Sequence, residues 1–303
     1  KYTMPVLNEG PDFKFIDGRH PVIEALMPPA GEYVPPSIEI RKEDQRIVII
    51  TGPNMSGKSA ILRQVALTVL LAQIGSFVPC KNAEIGIIDK IYTRVGASDN
   101  ISLGESTFMV EMSETASILN NLSDRSLVLL DEIGRGTSTY DGVSLAWSIV
   151  EFIQSHPTKP KTLFATHYHE LNELENKLDG IKNFHVSVKQ QGSNIVFLRK
   201  LTAGGSEHSF GIHVAQLAGI PNTVLIRSAE ILEKLESSRL KEQNRNQLKN
   251  TESKPVYQMS MFQTEDPKFQ RIQKELKSLN INQMSPIEAL LALQKLQNIS
   301  KED

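Results

Sequence analysis

Gly52-Pro53-Asn54-Met55-Ser56-Gly57-Lys58-Ser59 decides how this chain is read, because it meets the pattern G-x-x-x-x-G-K-[ST] at every fixed position. Arg46-Ile47-Val48-Ile49-Ile50-Thr51 before it is a β-branched run of strand length. Ala60-Ile61-Leu62-Arg63-Gln64-Val65-Ala66-Leu67 after it carries an apolar helical face. A glycine-bearing turn between two such elements aims successive backbone N–H groups at one point, and the helix N-terminus adds partial positive charge there. The spacing predicts a nucleoside triphosphate site in which Lys58 reaches the β- and γ-phosphates and the Ser59 hydroxyl holds Mg2+.

The 303 residues give room for one large domain and smaller pieces. With 40% hydrophobic and 22% charged residues, the composition is that of a globular protein with a real core. A net charge of −2 supplies no general basic footprint, so any DNA contact is local or made elsewhere. The single cysteine, Cys80, excludes an internal disulfide and a Cys-cluster metal site, which suits a reducing cytoplasm. It reads as a small apolar filler. Neither a signal peptide nor an 18-residue apolar run is present, so secretion and membrane spanning are not expected. The chain opens on Lys1, which suggests an excised fragment.

Residues 1–45, rich in Pro and Gly, read as a strand-and-loop lead-in. From Arg46 to about Leu201, strand-like runs (Ile47–Ile50, Leu127–Leu130, Lys161–Ala165, Ile195–Leu198) alternate with helical patterns, which argues for an α/β sheet layered by helices. Phe210–Ala218 and Thr223–Leu235 read as two helices around Gly219-Ile220-Pro221-Asn222, with Asn222 as the N-cap. The polar stretch 237–262 reads as a fraying helix and linker. Phe269–Leu279 and Ser285–Ile299 read as amphipathic helices, the second with an apolar stripe suited to a partner helix. The division expected is 1–205, 206–236, 237–262 and 263–303.

Leu127-Val128-Leu129-Leu130-Asp131-Glu132 supplies the second half of the site. Its two carboxylates stand where a buried strand ends, the place ligands occupy in α/β sheets. Asp131 would complete the Mg2+ shell and Glu132 would polarise an attacking water; the other reading is a strand ending in solvated acids. In Leu163-Phe164-Ala165-Thr166-His167, His167 either bonds the γ-phosphate or attacking water, or is a capped or core histidine. His167 and His169 have no third ligand at zinc spacing. In Gly104–Glu111, the helix opened by Ser106 is either an anion site or an ordinary cap.

Taken together, Thr51–Ser59, Gly104–Glu111, Asp131-Glu132-Ile133-Gly134-Arg135-Gly136-Thr137-Ser138-Thr139-Tyr140-Asp141-Gly142 and Phe164–Tyr168 resemble the ATPase domain of the MutS family, ABC-type ATPases of DNA mismatch repair. The resemblance extends from Asp17-Gly18-Arg19-His20-Pro21 to the tail. It implies an ABC-type P-loop ATPase sheet flanked by helices, then a helix–turn–helix unit and a helical tail. It also implies Mg-dependent ATP hydrolysis at a composite site, where two domains meet head to tail. Gly52, Pro53, Asn54, Met55, Ser56, Gly57, Lys58 and Ser59 would cradle the phosphates. Ser59 and Asp131 would hold Mg2+, and Lys58, Glu132 and His167 would act in hydrolysis. Ser106 would reach the γ-phosphate bound by the other subunit, and Thr137–Asp141 would cross the interface. Tyr33 and Arg199 would stack on adenine.

The resemblance further implies a homodimer through the ATPase and helix–turn–helix units, with MutL as a partner. Phe210–Glu236 would brace the partner and enter no DNA groove. Ser56 and Ala60 depart from the family's usual Gly and Thr, without removing a phosphate ligand. The family's mismatch-reading Phe-x-Glu motif does not occur in the sequence. Mismatched DNA would therefore be held by N-terminal domains outside this chain, and this piece alone would hydrolyse ATP weakly. Two other readings stand beside it. One is a MutS-like ATPase acting outside mismatch repair, which lacks support from a nuclease domain. The other is a catalytically silent ATP-switched module, against which Glu132 and His167 argue.

Overall fold

The computed structural model describes residues 2–27, 34–53, 56–96, 106–191, 194–206 and 210–249, with 292 and 294; of 189–191, 194–199 and 236–249 it describes the backbone. In order the elements are β1 (Val6–Asn8), β2 (Phe13–Ile16), α1 (Pro21–Leu26), β3 (Ile38–Ile40), β4 (Ile47–Thr51), α2 (Lys58–Gln73), β5 (Asn82–Gly86), β6 (Lys90–Arg94) and α3 (Thr107–Leu119). Then follow β7 (Ser126–Asp131), α4 (Thr139–Ser155), β8 (Lys161–Ala165), a 3-10 helix (His169–Glu173), α5 (Leu174–Lys177), β9 (Ile181–Gln191), β10 (Asn194–Ala203), α6 (Gly211–Leu217) and α7 (Asn222–Lys249). Two compact units divide the chain, Lys1–Lys234 and Leu235–Asp303, and both sheets belong to the first.

The larger sheet has the order β10-β9-β4-β8-β7-β6 and is parallel except for the β9–β10 pair. Its central strands are apolar at successive positions because both faces are covered. Alternation sorts those residues between two cores. Val48, Ile50, Leu127, Leu129, Leu163 and Ala165 join one, with Ile61, Leu62, Val65 and Val69 of α2. Ile47, Ile49, Val128, Leu130 and Phe164 join the other, with Ile118 of α3 and Ala146, Ile149, Val150 and Ile153 of α4.

The lead-in is more than strands and loops. It forms a second sheet, β1-β5-β2-β3, whose Phe13, Phe15, Ile38, Ile40 and Ile85 pack into the core that α2 fills. β5 comes from beyond α2, so this pairing is non-local and leaves no trace in a local pattern. Cys80 is buried in the same core, as a filler should be.

Beyond β10, α6 and α7 flank a turn at Gly219, where Gly219 N–H and Ile220 N–H donate to Gln216 and Ala215 carbonyls. Asn222 is the first helical residue and not the cap; the Pro221 carbonyl accepts from Val224 and Leu225 N–H. The α7 helix continues to Lys249, fourteen residues past Leu235, over a stretch rich in strong helix formers such as Lys, Glu, Gln, Arg and Leu. The helices expected over Phe269–Leu279 and Ser285–Ile299 lie outside the described residues, apart from helical positions 292 and 294. No helix among the described residues is long and apolar enough to cross a membrane.

Candidate active site

Parallel pairing in the order β4-β8-β7 brings three strand ends to one edge. Ile50 and Asp131 are both register partners of Ala165, so Thr51, Glu132 and Thr166 stand side by side at that edge, with Gly52 next along the chain. The loop after β4 turns into α2 at Gly57, whose φ of +102° is left-handed. Lys58 is almost wholly buried. Its Nζ donates to the Gly52 carbonyl at 2.6 Å and the Pro53 carbonyl at 3.1 Å, and lies 4.0 Å from Glu132 Oε1. Burial pushes its pKa down, while the charges of Glu132 and Asp131 pull it back up.

Asp131, at the end of β7, is driven the other way: burial raises its carboxyl pKa, opposed by a hydrogen bond from Ser59. Its Oδ1 is buried without a protein partner. Glu132 follows with φ +52°, a left-handed conformation that costs a non-glycine residue about 1–2 kcal/mol. Its N–H is held by the Ala165 carbonyl at 2.8 Å, and its carboxylate pairs with Arg135 as well as facing Lys58. His167 is partly buried, which lowers its pKa, with the negative charge of Glu132 opposing and Arg135 and Lys58 reinforcing. Its ring lies 4.1 Å from that of Tyr168, centroid to centroid.

The fold thus gathers Lys58, Ser59, Asp131, Glu132 and His167. Ser106 belongs to another segment. It is exposed at the start of α3, where its Oγ accepts from Phe108 N–H at 3.3 Å as an N-cap. Gly52, Pro53, Ser56 and Gly57 line the loop, with Ser56 Oγ buried and unpartnered. Asn54, Met55 and Tyr33 lie outside the described residues. So does the Arg199 side chain; its backbone is in β10, where the pairing with β9 shifts register between Phe197 and Leu201.

Several residues that motif reading gave no role frame the site. Arg135 pairs with Glu132. Glu111 Oε1 accepts from Gly134 N–H at 2.7 Å and Tyr168 Oη donates to the Gly134 carbonyl at 2.9 Å. Thr51 Oγ1, at the end of β4, accepts from Ser206 N–H at 2.9 Å, pinning the segment that leads toward α6. Glu111 and Tyr168 sit inside the quoted motifs, yet nothing local distinguishes them from helix-face and strand-end residues.

A Mg2+ ion fits the residues present. The orphaned Asp131 oxygen and the Ser59 hydroxyl are hard oxygen donors, and Mg2+ ordinarily takes one or two carboxylates with substrate phosphates and water filling the remainder. No group of three or more His, Cys, Asp or Glu placed to hold a metal ion occurs among the described residues.

Residues 48–236 match the family model of MutS domain V. The chain is 58% identical over 298 residues to the DNA mismatch repair protein MutS of Christiangramia forsetii, covering 98% of this chain and 34% of that protein. It is 56% identical over 301 residues to that of Cytophaga hutchinsonii, covering 99% and 35%. For Bacteroides thetaiotaomicron the identity is 54% over 306 residues, covering 98% and 35%. The chain spans about a third of the length of these relatives. With the domain model matched over most of its length and the identity sustained from end to end, the chain belongs to the MutS family.

Proposed function

We propose that this chain is the ATP-binding, ATP-hydrolysing and dimerising part of a mismatch recognition protein, and that it couples ATP state to the conformation of DNA clamps. One observation carries the reading: Lys58 Nζ at the start of α2 and Glu132 Oε1 just past β7 lie 4.0 Å apart beside an orphaned Asp131 oxygen. The site is already paired internally, cation to carboxylate. A triphosphate would draw Lys58 from the Gly52 and Pro53 carbonyls onto its β- and γ-oxygens, while the loop N–H groups take the remaining charge. Glu132 would accept a proton from water as its oxygen attacks the γ-phosphorus. The bond to the β–γ bridging oxygen would break, with ADP leaving on the electron pair. Ser59 and Asp131 would hold Mg2+, which would supply neutralisation of phosphate charge. His167, kept neutral by burial, would donate to the γ-phosphate or orient the water. Tyr33 and Arg199 are proposed to stack on adenine.

Ser106 would complete the site of a second copy, since its helix start is exposed. Exposed Leu217, Ile220, Val224 and Ile226 on and between α6 and α7 support this pair as the dimer brace. The division at 205, 236 and 262 is kept as part of the proposal. Mismatched DNA would be read by parts of the protein outside this chain, and MutL would be its partner in repair. The names of the relatives favour mismatch repair over a role outside it.

The test pairs two variants. Glu132→Gln should keep ATP and lose about 10²–10⁴ in turnover, whereas Lys58→Ala should lose ATP itself. Turnover at the wild-type rate in Glu132→Gln would remove the base, and undiminished ATP binding in Lys58→Ala would remove the site.

A further inference from the structure

The turn that carries Glu132 is held from outside as well as by its own hydrogen bonds. Glu132 and Gly134 both have positive φ, +52° and +88°, and the bond across the turn, Arg135 N–H to the Glu132 carbonyl, is long at 3.3 Å. Further support comes from two distant segments that grip the buried residue Gly134 by its N–H and its carbonyl. The N–H donates to Glu111 Oε1 and the carbonyl accepts from Tyr168 Oη. Glu111 is buried on α3, with its other oxygen 3.7 Å from Arg94 Nη2, and Arg94 is itself paired with Glu114 at 3.0 Å. Tyr168 directly follows His167 and is buried; its N–H donates to Thr166 Oγ1 at 3.0 Å, which fixes where the phenol starts. A second contact runs the same way: a side chain at Gly136 would press on Phe108 of α3 at 3.1 Å.

We propose that Glu111 and Tyr168 are positioning residues for hydrolysis, clamping Gly134 so that the strained Glu132 turn presents its carboxylate to the attacking water. This rests on the reading of Glu132 as the base. A carboxylate acceptor is the stronger kind for a buried N–H, and an acceptor lost from a buried N–H leaves it unsatisfied. The clamp also joins separate parts of the site. Glu111 lies five residues along α3 from Ser106, the helix end offered to a second copy. Tyr168 belongs to the segment that carries His167. A displacement of either segment is thereby transmitted to the base.

The experiment compares Tyr168→Phe, Glu111→Ala and Glu111→Gln with the wild-type chain and Glu132→Gln. It uses steady-state ATP turnover, ATP affinity, thermal melts and hydrogen exchange at the Gly134 amide. Tyr168→Phe and Glu111→Ala should lower kcat by about tenfold or more while ATP affinity stays within about twofold. Glu111→Gln retains an acceptor oxygen and should stay near wild type in both. Gly134 exchange should accelerate in Glu111→Ala and not in Glu111→Gln. Unchanged kcat in Tyr168→Phe overturns the proposal, as does Glu111→Gln being as defective as Glu111→Ala. Should Glu111→Ala fail to fold, Tyr168→Phe decides, since it removes one hydroxyl and no packing volume. Normal turnover in Glu132→Gln would instead strike the base assignment, and the Gly134 exchange rates would still show whether the clamp exists.

Discussion

Gly142→Ala sets helix propensity against tertiary packing. Gly142 lies in the first turn of α4, where alanine ordinarily favours a helix by about 1 kcal/mol over glycine. In this fold an added Cβ would overlap Tyr168 Oη and the Gly134 carbonyl oxygen, well inside the 3.0 Å that real Cβ contacts respect. The approach is reciprocal, since a Cβ on Gly134 would meet Gly142 O at 2.6 Å. Neither neighbour can step aside cheaply: one is backbone, and the other is the buried hydroxyl that bonds it. Overpacking costs about 1–3 kcal/mol, and breaking the Tyr168–Gly134 bond about 1–3 more. After the propensity gain the net loss is about 3 kcal/mol. For a unit of this size that is a fall in Tm of about 6–12 °C. Thermal and urea melts of the variant measure it directly. Adding Tyr168→Phe removes one of the two overlaps, so the double variant should be more stable than the summed single losses by at least about 0.5 kcal/mol. A Gly142→Ala protein as stable as wild type, or more so, would refute the packing argument and leave helix propensity in charge.

Asp131→Asn removes a charge that burial disfavours. Because the folded carboxyl has a raised pKa, its cost to stability is present above that pKa and relieved as pH falls through it. The amide should therefore raise Tm at pH 7.5 while ATP binding loses its dependence on Mg2+, read by titration with and without the ion. His167 is partly buried with its pKa pushed below 6.5, so the unfolded chain takes up a proton first and stability falls as pH drops from 6.5 toward the folded value. His167→Gln should flatten part of that slope in urea midpoints taken between pH 7.5 and 5.5; an identical slope would show that His167 contributes none of it.

Much of the larger sheet can be read in advance. Ile47–Thr51, Leu127–Leu130 and Lys161–Ala165 are short apolar runs ending in small or polar residues, a local signal that holds wherever both faces of a strand are buried. β6 and β9 escape that reading. Lys90-Ile91-Tyr92-Thr93-Arg94 is a polar strand at the sheet edge, and β9 mixes Lys, Asn, His and Gln with its apolar positions. The four-stranded sheet escapes it for another reason, because β5 joins β2 across the whole of α2.

What the sequence by itself determined is a set of local features: a turn of the phosphate-loop pattern, a carboxylate pair at a strand end, and a family string from Asp131 to Gly142. These are local, since a turn's glycines and a strand's last residues act through their immediate neighbours. Only the tertiary structure decided how the site is held. Lys58 against Glu132, and Gly134 between Glu111 and Tyr168, join residues from 23 to 74 positions of chain apart. Where such a contact closes depends on strand order and helix packing, and no window along the chain contains it.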